Sequence, residues 1–408
     1  MLPPKPFVSI PLVALIIISV LGACMEIDIS VPSFPSIMDF FGATEAQVQN
    51  TLSVNFLAVC LSGLLYGPLS EAWGRRGLML FGATCFLLGA IGCALAFSIN
   101  QLLFWRFIQG LGASSAFVLG FTMIADRYQG EIAAKRFSQI NAYVTIFMAL
   151  APILGSTIIH YFSWRANFTA VALIAFVAWV LLMGGLPETK LEKQALNLKG
   201  IVLDYGYVIT HRRFMLYALI PNLMCAAYLT FVGTAAFYYM NTCGLDVMVY
   251  AIHQGLVVLV FSVTSFYANK IIARLGSNQA VLLGMSLTLI GTILFVSFAF
   301  LFPFTPVLIT TAMIVIAIGS AFPMSVTWAE SMEIIPHLKG TCSSFIMSLR
   351  LLLSSIAVAI TGVFFDGSMR PVALVIFVAI LLSLVCYIPI YKPKEIKEKL
   401  ETKFAVAP

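Results

Sequence analysis

An all-α polytopic membrane protein, with twelve transmembrane helices in two six-helix bundles, is the fold class this sequence predicts, and three observations predict it. Apolar residues make up 61% of the 408 positions and charged residues only 10%, a balance that no soluble core absorbs. Apolar blocks recur twelve times along the chain, each close to the roughly 20 residues that a ~30 Å hydrocarbon core demands. Lys and Arg collect in alternate gaps between the blocks.

The first six spans fall near 8–30, 45–69, 77–98, 101–124, 136–160 and 166–187, and the second six near 214–240, 247–268, 278–300, 304–328, 339–362 and 371–391. With both termini placed inside, the inner segments hold all Lys and Arg except Arg106, Arg165, Arg350 and Arg370. Inner loops collect basic residues, so this asymmetry predicts orientation as well as topology. The net charge of +6 therefore reflects membrane orientation and gives no support to nucleic-acid binding. At the start, Lys5, an apolar run and Leu21, Gly22, Ala23 and Cys24 imitate a lipoprotein signal. The next segment leads into another span, which favours a first helix. The eight cysteines are scattered singly, and neither a metal site nor a disulfide framework is expected.

The segment 191–213 is the longest polar interior stretch, and it divides the chain into an N-terminal bundle (1–190), a linker (191–213), a C-terminal bundle (214–391) and a basic tail (392–408). Six plus six spans with both bundle ends on one side suggest parallel repeats. An echo of the repeat lies in the turn Trp73, Gly74, Arg75, Arg76 and the turn Arg274, Leu275, Gly276, Ser277. Gly63 and Gly67 in span two, Gly110 and Gly112 in span four, and Gly155 in span five mark places where helix backbones approach closely.

Carboxylates inside a span are costly and point to function. Span one holds Glu26 and Asp28, which a helix turns roughly 200° apart, so both cannot face one cavity. Asp28 is the stronger candidate for a proton carrier, because Pro32 and Pro35 follow it at helical spacing; both acids could instead sit solvated at the outer interface. Arg106, near the outer end of span four, is a partner for Asp28, a relay group or a structural cation. Arg350, in the middle of span eleven, should face a cavity and attract an anionic group.

The first inner loop reads Gly67, Pro68, Leu69, Ser70, Glu71, Ala72, Trp73, Gly74, Arg75, Arg76, and it resembles the signature loop of the major facilitator superfamily, with Glu71 replacing the usual Asp. The resemblance implies a latch between the bundles built on Glu71 and Arg75, with Asp126 at the end of span four. Leu102, Arg106, Gln109, Gly110, Gly112 and Ala113 are similar to the family's span-four proton-transfer motif. Ala151, Pro152, Ile153, Leu154, Gly155 and Ser156 look like its antiporter motif, with Ala151 and Ser156 replacing two glycines. Asp28 with its prolines, Trp164 and Arg165, and Leu186, Pro187, Glu188 and Thr189 resemble the bicyclomycin-resistance type of drug:proton antiporter. Spans one, four, seven and ten line the family's cavity, which implies lining roles for Tyr228, Phe231, Tyr238, Tyr239, Phe322 and Met324.

These readings converge on a proton-coupled secondary transporter of the bacterial inner membrane that exports small organic compounds by alternating access. Its implied partners are a small-molecule substrate, protons and the lipid bilayer, with no cofactor and a monomeric state. No Gly-x-x-x-x-Gly-Lys-Ser/Thr loop appears, in keeping with transport that uses no ATP. A carboxylate-type metabolite such as a citrate-based siderophore, moved in either direction, is the alternative that Arg350 favours. A membrane-embedded enzyme would need a polar catalytic cluster, yet His160, His211, His253 and His337 lie far apart. A receptor or scaffold would bind without flux.

Overall fold

The computed structural model describes residues 11–128, 130–190 and 196–391. Every regular element among these residues is helical, and twelve helical segments are long and apolar enough to cross a membrane. In the first half these are α1 (Leu12–Ser30), which continues through a 3-10 turn (Val31–Ser33) into α2 (Phe34–Phe41), then α3 (Glu45–Trp73), α4 (Arg75–Ala94), α5 (Ile99–Arg127), α6 (Gly130–Tyr161) and α7 (Trp164–Gly185). After the short α8 (Leu198–Thr210), the second half holds α9 (Arg212–Ala236), α10 (Val247–Leu275), α11 (Ser277–Leu301), α12 (Pro306–Ile334), α13 (Lys339–Phe364) and α14 (Arg370–Tyr387). Large apolar side chains such as Leu88, Leu173, Phe176, Ile290 and Leu382 stand exposed around the outside, as helices that face lipid require.

Local chemistry sets the helix ends. Thr44 and Gln47 form a reciprocal capping box at the start of α3 (2.9 and 3.3 Å). Ser98 accepts from the Gln101 backbone at the start of α5 (3.2 Å). Pro32 has no N–H for the Asp28 carbonyl four residues back, so the first span tightens into its 3-10 turn there and then resumes as far as Phe41. That span is therefore longer than the expected 8–30.

Residues 8–10, the 191–195 part of the expected linker and the basic tail 392–408 lie outside the described residues. The rest of the linker differs from the polar stretch read from sequence, because it contains α8. Ile201, Tyr205 and Val208 share one face of that helix, and Val208 is fully buried with Phe214, Ile335 and Ile346. Their spacing is amphipathic, but the surrounding charges hide it.

The two turns that echo each other in sequence have the same backbone conformation. Gly74 lies at φ 101°, ψ 153° and Gly276 at φ 85°, ψ 152°, a region that disfavours any side chain. Packing repeats as well. A Cβ on Gly112 in α5 would stand 2.2 Å from the Phe86 nitrogen in α4, and one on Gly319 in α12 would stand 2.5 Å from the Thr288 nitrogen in α11.

The halves touch mainly through α3 on α13 and α6 on α10. We call the end carrying Arg75, Arg76 and Lys339 the basic end, and the opposite one the far end. At the far end a single apolar core spans both halves, with Phe34, Leu52 and Phe56 packed among Val232, Ala235 and Phe237. Toward the basic end the cores separate: one, from Leu12 to Leu186, belongs to the first half alone, and another, around Phe214 and Ile346, belongs to the second half and α8. Half-exposed residues on the central helices follow the same division. Ile17 and Leu21 lead along α1 to Asp28, and Met215, Leu219 and Cys225 lead along α9 to Tyr228, whereas Ser30 to Pro35 and Thr230 to Tyr239 are wholly buried. Along α1 and α9, partial exposure is thus found on the basic-end side and complete burial on the far side.

Candidate functional site

Asp28 sits where this partial exposure gives way to complete burial. It is 6% exposed, and its carboxylate lies within electrostatic reach of the Tyr228 and Tyr250 hydroxyls in α9 and α10. An acid of the first bundle thus acts electrostatically on two phenols of the second. Tyr228 also accepts a hydrogen bond from Gln254 Nε2 (3.4 Å).

Glu26 faces the other way, as the 200° separation requires. It is buried inside the first half with Arg106, whose Nη1 lies 3.6 Å from Glu26 Oε2. The expected partnership of Arg106 with Asp28 is therefore corrected: the guanidinium belongs to Glu26. Arg106 also donates to Gln109 Oε1 and Ser30 Oγ (both 3.0 Å) and lies 5.5 Å from the Phe168 ring. Asn55 donates to Glu26 Oε1 (3.4 Å) and to the Arg106 carbonyl (3.2 Å). This network fastens α1, α3 and α5 together. Gly110 permits it, since a Cβ there would stand 2.4 Å from the Asn55 carbonyl oxygen.

The residues expected to line the cavity divide into two groups. Tyr228, Met324 and Arg350 are half-buried, and the Arg350 guanidinium lies 5.1 Å from the Trp328 ring. Phe231, Tyr238, Tyr239 and Phe322 are instead buried inside the second half. Phe231 packs on Phe295, and Tyr238 donates to the Pro303 carbonyl (3.0 Å). Tyr239 shares a hydrogen bond with Thr310 (2.5 Å), and Phe322 lies against Gly284. Both tyrosines lie in a π-helical stretch, Phe237–Thr242.

At the basic end Arg75 is buried and binds Ser70 and Glu71, while its Nε donates to Asp126 Oδ2 (3.1 Å). Lys190 closes on Glu71 (2.5 Å) and Thr189 donates to Asp126 (2.9 Å). Among the described residues all of these partners belong to the first half and the segment just after α7. The implied latch between bundles is thus an intrabundle network in this conformation. Gly67 packs beside Ser344 of α13, where a Cβ would stand 3.6 Å from its hydroxyl. Leu69 packs on the first-half core, and Arg76 donates to the Met183 carbonyl (3.2 Å). The longer Glu71 still reaches Arg75.

Pro152 lies inside α6, and Gly155 presses on α1, with a virtual Cβ 2.5 Å from the Ile29 carbonyl oxygen. This contact fixes the turn of α1 that carries Asp28.

Sequence reading did not single out Tyr250, Trp328, Asn55, Lys190 or Tyr205. Trp328 was within reach of it, one helical turn after Met324 on the same face of α12. Tyr205 donates to the Leu64 carbonyl in α3 (3.1 Å), which no spacing announces.

Known proteins share this fold. The chain is 26% identical over 382 residues to YdgK of Bacillus subtilis, named an uncharacterized MFS-type transporter, covering 92% of this chain and 94% of that one. It is 27% identical to the chloramphenicol resistance protein CraA of Acinetobacter baumannii (66% and 65% covered) and 29% identical to the multidrug resistance protein MdtL of Escherichia coli (59% and 61% covered). Among solved structures it superposes on the nucleoside transporter NupG with a TM-score of 0.73 at 14% identity, covering 94% of this chain and all of that one. The family model described as Major Facilitator Superfamily matches residues 16–358: the chain belongs to this superfamily of membrane transporters.

Proposed function

We propose that this protein is a proton-coupled exporter of small organic compounds, working by alternating access across a bacterial inner membrane with both termini in the cytoplasm. What supports the reading is the position of Asp28, at the level where partly exposed residues of α1 and α9 give way to wholly buried ones. A carboxyl there exchanges its proton with whichever side water reaches it from, and rocking the halves about α3–α13 and α6–α10 would change that side. The basic end is the cytoplasmic one by the distribution of Lys and Arg. Relatives named for chloramphenicol and multidrug resistance support export of apolar and aromatic compounds.

Each proton brings about 2.3 kcal/mol per 100 mV and about 1.4 kcal/mol per pH unit, enough to drive accumulation without ATP. The test uses purified protein in liposomes with an imposed pH gradient, and chloramphenicol as solute. The wild type moves solute against its gradient when protons flow the other way, whereas Asp28→Asn retains binding and loses the gradient-driven component. Gradient-driven flux that survives Asp28→Asn refutes the assignment.

A further inference from the structure

We infer that the transport site contains an anion subsite made by Arg350 on the Trp328 ring, and that the protein takes aromatic or conjugated compounds bearing a carboxylate or a similar planar anionic group. This inference rests on the transport reading and narrows its substrate class.

Arg350 lies near the middle of α13, eleven residues from Lys339 and fourteen from Phe364, so its charge is held at membrane depth. Guanidinium groups do not shed their proton, and an unpaired cation at that depth is costly. Among the described residues no carboxylate pairs with it. The ion pairs there are those of Arg75, Arg106, Lys190 and Lys339. Of the two acids on α12, Glu330 lies beside Tyr217 of α9 and Glu333 pairs with Lys339. Asp28 makes no ion pair with Arg350. The Nε of Arg350 is buried and has no acceptor.

The contrast with the molecule's other intramembrane arginine is informative. Arg106 has Glu26, Gln109 and Ser30 around it, as a structural cation should. Arg350 has only an aromatic face, 5.1 Å away, and Cys225 of α9 within electrostatic reach. The Trp328 ring lies beside the guanidinium and the buried Nε has no acceptor, so the edge that takes a carboxylate through two parallel hydrogen bonds is unclaimed within the protein. Met324 of α12 and Tyr228 of α9 are half-buried and would supply apolar and aromatic surface for the rest of the ligand. The counter-charge that the protein omits would arrive with the ligand.

Calorimetric titration of the full chain in detergent, with 2-naphthoate and the neutral 2-naphthamide as probes, tests this without any proton gradient. The wild type should bind the naphthoate about tenfold or more tightly than the amide, the gain expected of a charge-assisted pair. Arg350→Gln should remove that preference, Arg350→Lys should keep part of it, and Trp328→Leu should weaken both probes. Equal affinity for the two probes in the wild type, no binding of naphthoate, or a preference that persists in Arg350→Gln overturns the inference. If Arg350→Gln is not monodisperse, the wild-type comparison and Arg350→Lys decide. Failure here leaves the coupling experiment on Asp28 standing, and failure there leaves the naphthoate preference standing.

Discussion

Gly155 and Ile29 meet backbone to backbone: a methyl group on Gly155 would lie 2.5 Å from the Ile29 carbonyl oxygen and 2.8 Å from its Cα. Because the obstructing atoms are main chain, no rotamer relieves the overlap. Gly155→Val should force α6 and α1 apart, lower stability by about 1–3 kcal/mol and impair transport through the displaced Asp28. Gly67→Ala, whose added methyl meets only the Ser344 hydroxyl at ordinary contact distance, should leave stability nearly unchanged. Thermal unfolding in detergent compares the two.

Arg106 and Glu26 should behave as a unit. Arg106→Ala strands a buried carboxylate and should cost about 3–5 kcal/mol, the usual loss when one partner of a buried pair is removed. Glu26→Gln/Arg106→Met should recover much of that loss, because neither charge then remains. Denaturation of the single and double variants measures the coupling. A double variant no more stable than Arg106→Ala would refute the pairing.

Glu188 caps α4, accepting from the Arg75 nitrogen (2.9 Å) and the Arg76 nitrogen (3.2 Å) at its first turn. A negative group at a helix start meets both free N–H groups and the helix dipole. Glu188→Ala should destabilise the protein by about 1 kcal/mol, and Glu188→Gln should recover part of this through hydrogen bonding alone. Gly74→Ala should cost more than either surface change, since Gly74 has positive φ and its Cβ would stand 2.6 Å from Glu188 Oε2.

Tyr205 ties the linker helix to the first half through the Leu64 carbonyl and also contacts Ser344 of α13. Tyr205→Phe removes that donor and should shift the balance between inward and outward forms by about 0.5–1.5 kcal/mol. Electron–electron distance measurements between spin labels at the basic ends of α3 and α13 report the shift. Unchanged distance distributions would show that the hydroxyl carries no conformational weight.

Legibility in the sequence follows range. The twelve spans, the loop from Gly67 to Arg76 and the pairing of Arg75 with Asp126 could be expected because they depend on local composition or on a resembling motif. Tyr238 and Tyr239 were expected in the cavity because the resemblance assigns span seven to it; the structure buries both in the second half, bonded to the Pro303 carbonyl and to Thr310. Arg106 was read as a partner for Asp28, a relay group or a structural cation, because sequence gives its depth in the span and not the direction it faces. Only the rotation of α1 against α5 assigns it to Glu26.

The sequence alone determined that the chain crosses a membrane about twelve times, that one end is basic and that an acid lies within the first span. Burial of apolar side chains and the cost of charge in lipid act on each segment independently, so they can be read segment by segment. Tertiary structure decided which acid meets the second bundle, which arginine is neutralised and which is left open, and at which end the halves share a core. These outcomes depend on how helices turn and approach one another, and glycines such as Gly155 and Gly110 set those distances only once their neighbours are known.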